Sequence, residues 1–241
     1  MRRLFLPAIF LFVGLMDVGR AQGQYPLSHR RWELSAFGGT SIISDQVFAT
    51  PVAGADQQSS MPVGMQFNSS WLIGARLSES MGDFWGAEFE YSYANQPLRF
   101  TNLKPDLPAL SLNQGVNTFA YNFIFFFTDP YKRVRPYAIA GIGTSLFHIH
   151  GSSKSVAAAA GIPLGDKWTF VFDWGGGVKY LFHDHWAARF DFRSHLGTMP
   201  DYGLPSSATI VQGQFIPGMA ASGVLQNWTF SAGIGYQWDW W

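Results

Sequence analysis

Nine ionisable residues stand at alternating positions inside segments that are otherwise apolar or small: Glu33, Arg76, Glu88, Glu90, Asp173, Lys179, Arg189, Asp191 and Arg193. Glu88 and Glu90 are two apart, as are Arg189, Asp191 and Arg193, which puts each set on one face of an extended strand. Five carboxylates and four cations facing one interior can neutralise each other by ion pairing. Left unpaired, each would carry a desolvation penalty of several kcal/mol. The expectation is that Arg189 and Arg193 pair with carboxylates drawn from Glu88, Glu90, Asp173 and Asp191, forming a plug.

Other constellations point to chemistry less firmly. His148-Ile-His150 aligns two imidazoles, a spacing that a metal could use, but no third ligand stands nearby in the sequence. His183-Asp-His185 falls in a short turn, where polar residues are expected in any case. His150-Gly-Ser152 matches the short His-x-Ser pair of the lipid A deacylase barrels, yet Pro163-Leu164 follows where an acidic partner is needed. The other stretch that would align reads Ser194-His195-Leu196-Gly197, and glycine supplies no nucleophile. Gly175-Gly-Gly177 lacks the helix and Lys-Ser/Thr of a phosphate loop. No catalytic set, metal site or cofactor is expected.

The segments that carry the nine charges alternate with period two. Trp71, Ile73, Ala75 and Leu77 alternate with Leu72, Gly74 and Arg76, the run starting at Phe67; Trp85, Ala87, Phe89, Tyr91 and Tyr93 alternate with Gly86, Glu88, Glu90 and Ser92. The same rhythm runs through 118–127, 170–179, 186–193 and 228–238, and a seventh strand is read at 32–43. An eighth at 136–150 has an undecided facing, because Ala140-Gly-Ile-Gly143 offers no contrast. In the six clearest strands every charge lies on the face opposite the Trp, Phe and Tyr side chains. The aromatic face is too bulky for a small lumen. The other face, rich in Gly, Ala and Ser, suits a narrow interior. Lipid outside and charge inside is therefore the expected arrangement.

The connections alternate in length. Long segments run over 44–65, 95–114, 151–167 and 194–226, and short ones over 78–83, 128–134 and 181–185. That pattern predicts an all-β, eight-stranded antiparallel transmembrane up-and-down β-barrel with short periplasmic turns and long external loops. Composition agrees, with 17% aromatic residues, 13% charged and no cysteine among 241 residues. Beyond the N-terminus no apolar run reaches the ~20 residues a spanning helix needs.

At the N-terminus, Arg2 and Arg3 precede an apolar stretch from Leu4 to Met16, and Gly19 and Ala21 occupy the small positions of a cleavage site. Residues 1–21 are expected to be a signal peptide, with a detached helix around Leu4 to Val18, and residues 22–241 the barrel. Cleavage leaves 13 basic and 15 acidic residues, a net charge of about −2 that gives no case for nucleic acid.

The closing Tyr236-Gln-Trp-Asp-Trp-Trp241 ends inside a strand with aromatics at its tip. With Val134-Arg-Pro-Tyr-Ala-Ile-Ala-Gly-Ile-Gly143, Trp174-Gly-Gly-Gly-Val-Lys-Tyr180 and Trp186-Ala-Ala-Arg-Phe-Asp-Phe-Arg193, it resembles the small outer-membrane β-barrel proteins, the OmpA-like and OmpX-like barrels. The resemblance implies an outer-membrane location, with lipid and lipopolysaccharide as surroundings. It also implies that Trp238, Trp240 and Trp241 form a signal read by the barrel-assembly machinery. No second, peptidoglycan-binding domain is expected beyond the barrel, a departure from full OmpA-type chains. Two functional classes stay open: a non-enzymatic structural or surface-interaction protein acting through its external loops, whose ligand the sequence does not name, and a small porin-like channel for ions or solutes.

Overall fold

A computed structural model describes residues 31–43, 50–51, 62–104, 107–206, 209–211, 214–216 and 223–239. The expected signal peptide, its helix, and Trp240 and Trp241 lie outside them.

Eight strands close into one antiparallel barrel: β1 (Trp32–Ile43), β4 (Ser70–Ser80), β5 (Trp85–Asn95), β8 (Gln114–Phe126), β9 (Val134–Ile149), β10 (Lys167–His183), β11 (Trp186–Thr198) and β14 (Val224–Trp238). Each pairs with its neighbour in sequence, and β14 closes on β1 with Trp32 opposite Trp238. Following inward residues from strand to strand, Glu33 leads to Ser78, Glu88, Asn122, Gly141, Asp173, His195 and Asn227. The circuit returns to β1 at Ile43 rather than Glu33, a stagger of ten residues (43 − 33). That stagger requires tilted strands and leaves an interior that side chains can fill.

The facing is as the alternation requires. Trp71, Phe89, Phe123, Phe172, Phe190 and Phe230 are exposed on the outer wall, whereas Glu88, Arg189 and Asp191 are buried inside. The undecided strand β9 resolves with Arg135, Tyr137, Ile139, Ser145, Phe147 and Ile149 buried and Ile142 exposed. On β8, Ile124 and Phe126 point inward, where they pack with Tyr137 and Ile139 as an apolar layer at the short-turn end.

The long connections differ from plain loops. Between β1 and β4 come β2 (Thr50–Pro51) and β3 (Pro62–Phe67), and between β5 and β8 come β6 (Leu98–Lys104) and β7 (Leu107–Leu112). These four form a second sheet in the order β2-β3-β6-β7. Phe67 therefore belongs to this sheet and is buried, instead of opening a lipid-facing strand. The strand breaks at Asn68 and Ser69, where the Asn68 N–H donates to Pro97 O at 3.0 Å. A further hairpin pairs β12 (Thr209–Val211) with β13 (Gln214–Ile216).

The segment after β9 folds as helix α1 (Gly151–Ala159), where the sequence reading placed a loop. Its alanine run favours a helix. Ser153 and Ala157, four residues apart, turn to the interior, and Ser153 Oγ accepts the Asn113 N–H at 2.8 Å. The helix stops at Gly161, whose φ of 71° suits glycine and lets the Ile162 N–H close back on Ala157 O.

Met65, Phe67, Leu98, Phe100, Leu110 and Leu112 from the second sheet gather with Phe147, Ile149, Ala157, Met199, Tyr202 and Leu225 into one buried apolar cluster. This dome sits over the long-connection end of the barrel. Burial of so many apolar side chains, each worth about 1.5–3 kcal/mol, orders segments that read as loops.

Candidate functional site: the charged lumen

The nine charges named from sequence all lie inside the barrel, and the structure joins them into a network. Arg76 Nε binds Glu90 Oε2 at 2.7 Å and its Nη1 binds Asp191 Oδ2 at 2.8 Å. Its guanidinium lies 3.7 Å over the Phe37 ring and donates to Ser231 Oγ. Arg193 reaches Glu90 at 2.6 Å, Glu88 at 2.7 Å and Asp191 at 3.0 Å. Arg189 binds Glu88 at 2.7 Å, and its Nη2 donates to the Tyr137 hydroxyl at 2.9 Å. That hydroxyl in turn donates to Asp191. Nearer the short turns, Lys179 pairs with Glu33, which also accepts from Gln237 Nε2 at 2.7 Å.

Room for these side chains comes from their neighbours. Across the pairings, Arg189, Asp191 and Arg193 on β11 face Gly233, Ser231 and Thr229 on β14. On the other flank Asp191 and Arg193 face Gly177 and Gly175. The three guanidiniums thus project over small residues and meet the carboxylates of β5 across the bore. Side-chain exposure is 3% or less for Arg76, Glu88, Glu90, Arg189, Asp191 and Arg193. At such burial a charge persists because each guanidinium fork reaches two or more carboxylates.

The network is wider than its nine charges. Tyr137 and Ser78 bridge members of it; Ser78 Oγ donates to Glu88 at 2.9 Å. Arg135 also points inward, but its Nη2 donates to Asp83 O at 2.7 Å and it stacks on Phe126, away from the carboxylates. His195 is buried beside Asp173, with Nδ1 3.5 Å from Oδ1. Strand β11 runs on to Thr198, past the Arg193 limit set from sequence, so His195 continues the inward parity of Arg189, Asp191 and Arg193. That parity was a signal available in the sequence.

His148, His150 and His185 make none of the contacts of this network. His148 points outward and its Nδ1 lies 2.9 Å from Asp166 Oδ2, while His150 precedes α1 with its ring 6.1 Å from that of His148. Lys154 also binds Asp166, at 2.8 Å. Partial burial works to raise the Asp166 carboxyl, but hydrogen bonds from Lys154, His148 and the Ile149 N–H outweigh it and hold the group below the usual carboxylate range. His185 stacks on Tyr236 at the short-turn end. Trp238, the one assembly-signal residue described, pairs with Trp32 at the closing seam. Among the described residues no set of three or more His, Asp or Glu side chains converges to hold a metal.

Residues 38–237 match the model of the outer membrane protein beta-barrel domain family. The chain belongs to that family. Its members are outer-membrane proteins, so this barrel is one as well. Among solved structures, the outer membrane protein OprG from Pseudomonas aeruginosa is similar at 13% identity and a TM-score of 0.55, over 90% of this chain and all of that one (100%). The outer membrane protein AlkL, determined in DMPC lipid bilayers, is similar at 13% identity and a TM-score of 0.51, over 90% of this chain and 97% of that one. At such identity these likenesses speak for the fold. No curated protein sequence matches significantly.

Proposed function

We propose that the chain is a non-enzymatic outer-membrane barrel whose lumen is closed and whose role lies in the surface it presents outside the cell. The observation that carries this reading is the buried network of Arg76, Arg189 and Arg193 with Glu88, Glu90 and Asp191, which crosses the bore. The apolar layer of Ile124, Phe126, Tyr137 and Ile139 on one side and the dome on the other support the same reading. In this assignment the short turns face the periplasm and the dome faces outward, with lipid and lipopolysaccharide around the aromatic wall. Residues 1–21 direct export and are removed, so the mature protein begins at Gln22, and the aromatic end that includes Trp238, Trp240 and Trp241 is presented to the barrel-assembly machinery. The test is single-channel recording of the refolded barrel in a planar bilayer. Absent or small, intermittent current is expected; a large steady conductance would replace this reading with that of a small channel.

A further inference from the structure

The charge balance of the network is uneven. Five carboxylates, those of Glu33, Glu88, Glu90, Asp173 and Asp191, face four cations, Lys179, Arg76, Arg189 and Arg193, because Arg135 is turned away onto Phe126 and Asp83. The geometry identifies the carboxylate left over. Asp173 is fully buried, and among the described residues neither of its oxygens accepts a hydrogen bond. Arg193 Nη1 is 3.6 Å away and already bound to Glu90 at 2.6 Å. The other ionic neighbour is His195, directly opposite Asp173 across the β10–β11 pairing.

Every other group facing the pair is accounted for. On its far flank Asp173 pairs with Gly141 of β9, and beyond it Asn122 of β8 supplies only a neutral amide. Strand β14 supplies Thr229, 3.5 Å from His195 Nε2, and Asn227. Strand β5 brings Glu88 and Glu90, β4 brings Arg76, and β11 itself adds Asp191 and Arg193, all engaged with one another. Among the described residues His195 is also the one ionisable side chain lining a narrow chamber between the network and the dome, with Gln96, Ser145, Phe147, Thr169, Val171 and Leu225 among its walls.

We infer that Asp173 and His195 form a proton-binding site, and that the one proton they hold supplies the positive charge the network lacks. No bond other than N–H or O–H forms or breaks; the proton exchanges with water. A buried, unneutralised carboxylate is costly, so releasing the proton weakens the folded barrel at the β10–β11 contact. The inference deepens the closed-lumen reading and rests on it. The sign follows from linkage: a native state that keeps a proton the unfolded chain has lost becomes less stable as pH rises. The unfolded histidine loses its proton near pH 6.5, so the loss begins there, by up to about tenfold in the folding equilibrium per pH unit.

The experiment is urea unfolding of the full chain in phosphatidylcholine vesicles from about pH 5 to above pH 8, the range over which histidine changes charge. Wild type is compared with Asp173→Asn, His195→Gln and the double variant. The expected result is a fall in wild-type stability on the alkaline side that is absent in Asp173→Asn. His195→Gln is weakened at neutral pH, and the double variant recovers. Should His195→Gln fail to fold, nitrogen and carbon NMR of labelled histidine and aspartate in the wild type reads the site directly. Parallel profiles in wild type and Asp173→Asn, or an ionised Asp173 beside a neutral His195 at neutral pH, would overturn the proposal. The bilayer recording is scored separately: a steady current defeats the closed lumen, whereas an unchanged pH profile in Asp173→Asn defeats only the proton site.

Discussion

Arg189 touches more of the network than its charge alone suggests, since it holds Glu88 at 2.7 Å, Ser78 at 3.3 Å and the Tyr137 hydroxyl at 2.9 Å. Truncating it to alanine strands Glu88 on that side and removes the donors that orient Tyr137. Breaking one partner out of a buried ionic set costs about 3–5 kcal/mol. We expect Arg189→Ala to lose stability on that scale in a lipid folding titration and to raise the leak through the bore. Arg31 provides the contrast. It makes an ion pair with Glu79 at 2.6 Å, but its side chain is 64% exposed. Exposed pairs contribute about 0–1 kcal/mol, so Arg31→Ala should be nearly silent. Equal effects from the two variants would show that the network is not buried in the functional barrel. The energetic reading also explains why the nine charges were legible in sequence: a charge tolerated in the middle of an aromatic strand has to face somewhere other than lipid. Asp173 and His195 were only half legible, because the boundary of β11 had been drawn at Arg193 and the pairing that opposes them depends on register.

At the scale of a strand, period-two alternation carried most of the fold. Phe190, 58% exposed and midway along β11 between Val178 and Ala232, is a direct probe of the outer wall. An arginine there faces hydrocarbon, at a cost of about 2–4 kcal/mol near the bilayer midplane; a neutral result in a lipid folding titration would mean that the wall faces water. Alternation failed where Pro and charged residues interrupt it. Leu98, Phe100, Leu110 and Leu112 keep the right parity for β6 and β7, yet Pro97, Pro105 and Pro108 mask it, so the second sheet read as loop. Helix α1 was missed because four alanines carry no amphipathic signal; what fixes it is the Asn113–Ser153 bond and the clasp of Asp166 on Lys154 and His148. That clasp predicts a pH effect of opposite sign to the one inside the lumen. A carboxylate held below its ordinary value adds stability above the unfolded aspartate value of about 3.9, and the contribution disappears as pH falls through the lower folded value. Amide exchange around α1 should therefore quicken under strong acid, and Asp166→Asn should show that quickened exchange at neutral pH without disturbing the barrel strands.

Taken whole, the molecule is built in two tiers that rest on different forces. The barrel wall is a closed ladder of backbone hydrogen bonds around a polar interior, whereas the dome is an apolar core assembled from short strands and connections. Their junction is Tyr202. This residue is fully buried with a φ of 51°, an uncommon backbone for a bulky side chain. It is held there by edge contacts with the Phe100 and Phe147 rings and by a hydrogen bond to Gln114 at 2.8 Å. The adjoining Asp201 reinforces the turn by accepting from Lys167 and from the Gly203 N–H. Removing the Phe100 ring deletes about 3–5 kcal/mol of packing at the centre of the dome, and it also frees Tyr202 to leave its strained conformation. None of the ion pairs across the bore involves either residue. Phe100→Ala should therefore speed amide exchange in β3, β6 and β7 while β9, β10 and β11 keep their protection, and the bilayer current should stay as low as in the wild type. A current that rises with the loss of the dome would place the seal in the external cap instead of the charged network. Uniform loss of protection in both tiers would show that they fold as one unit.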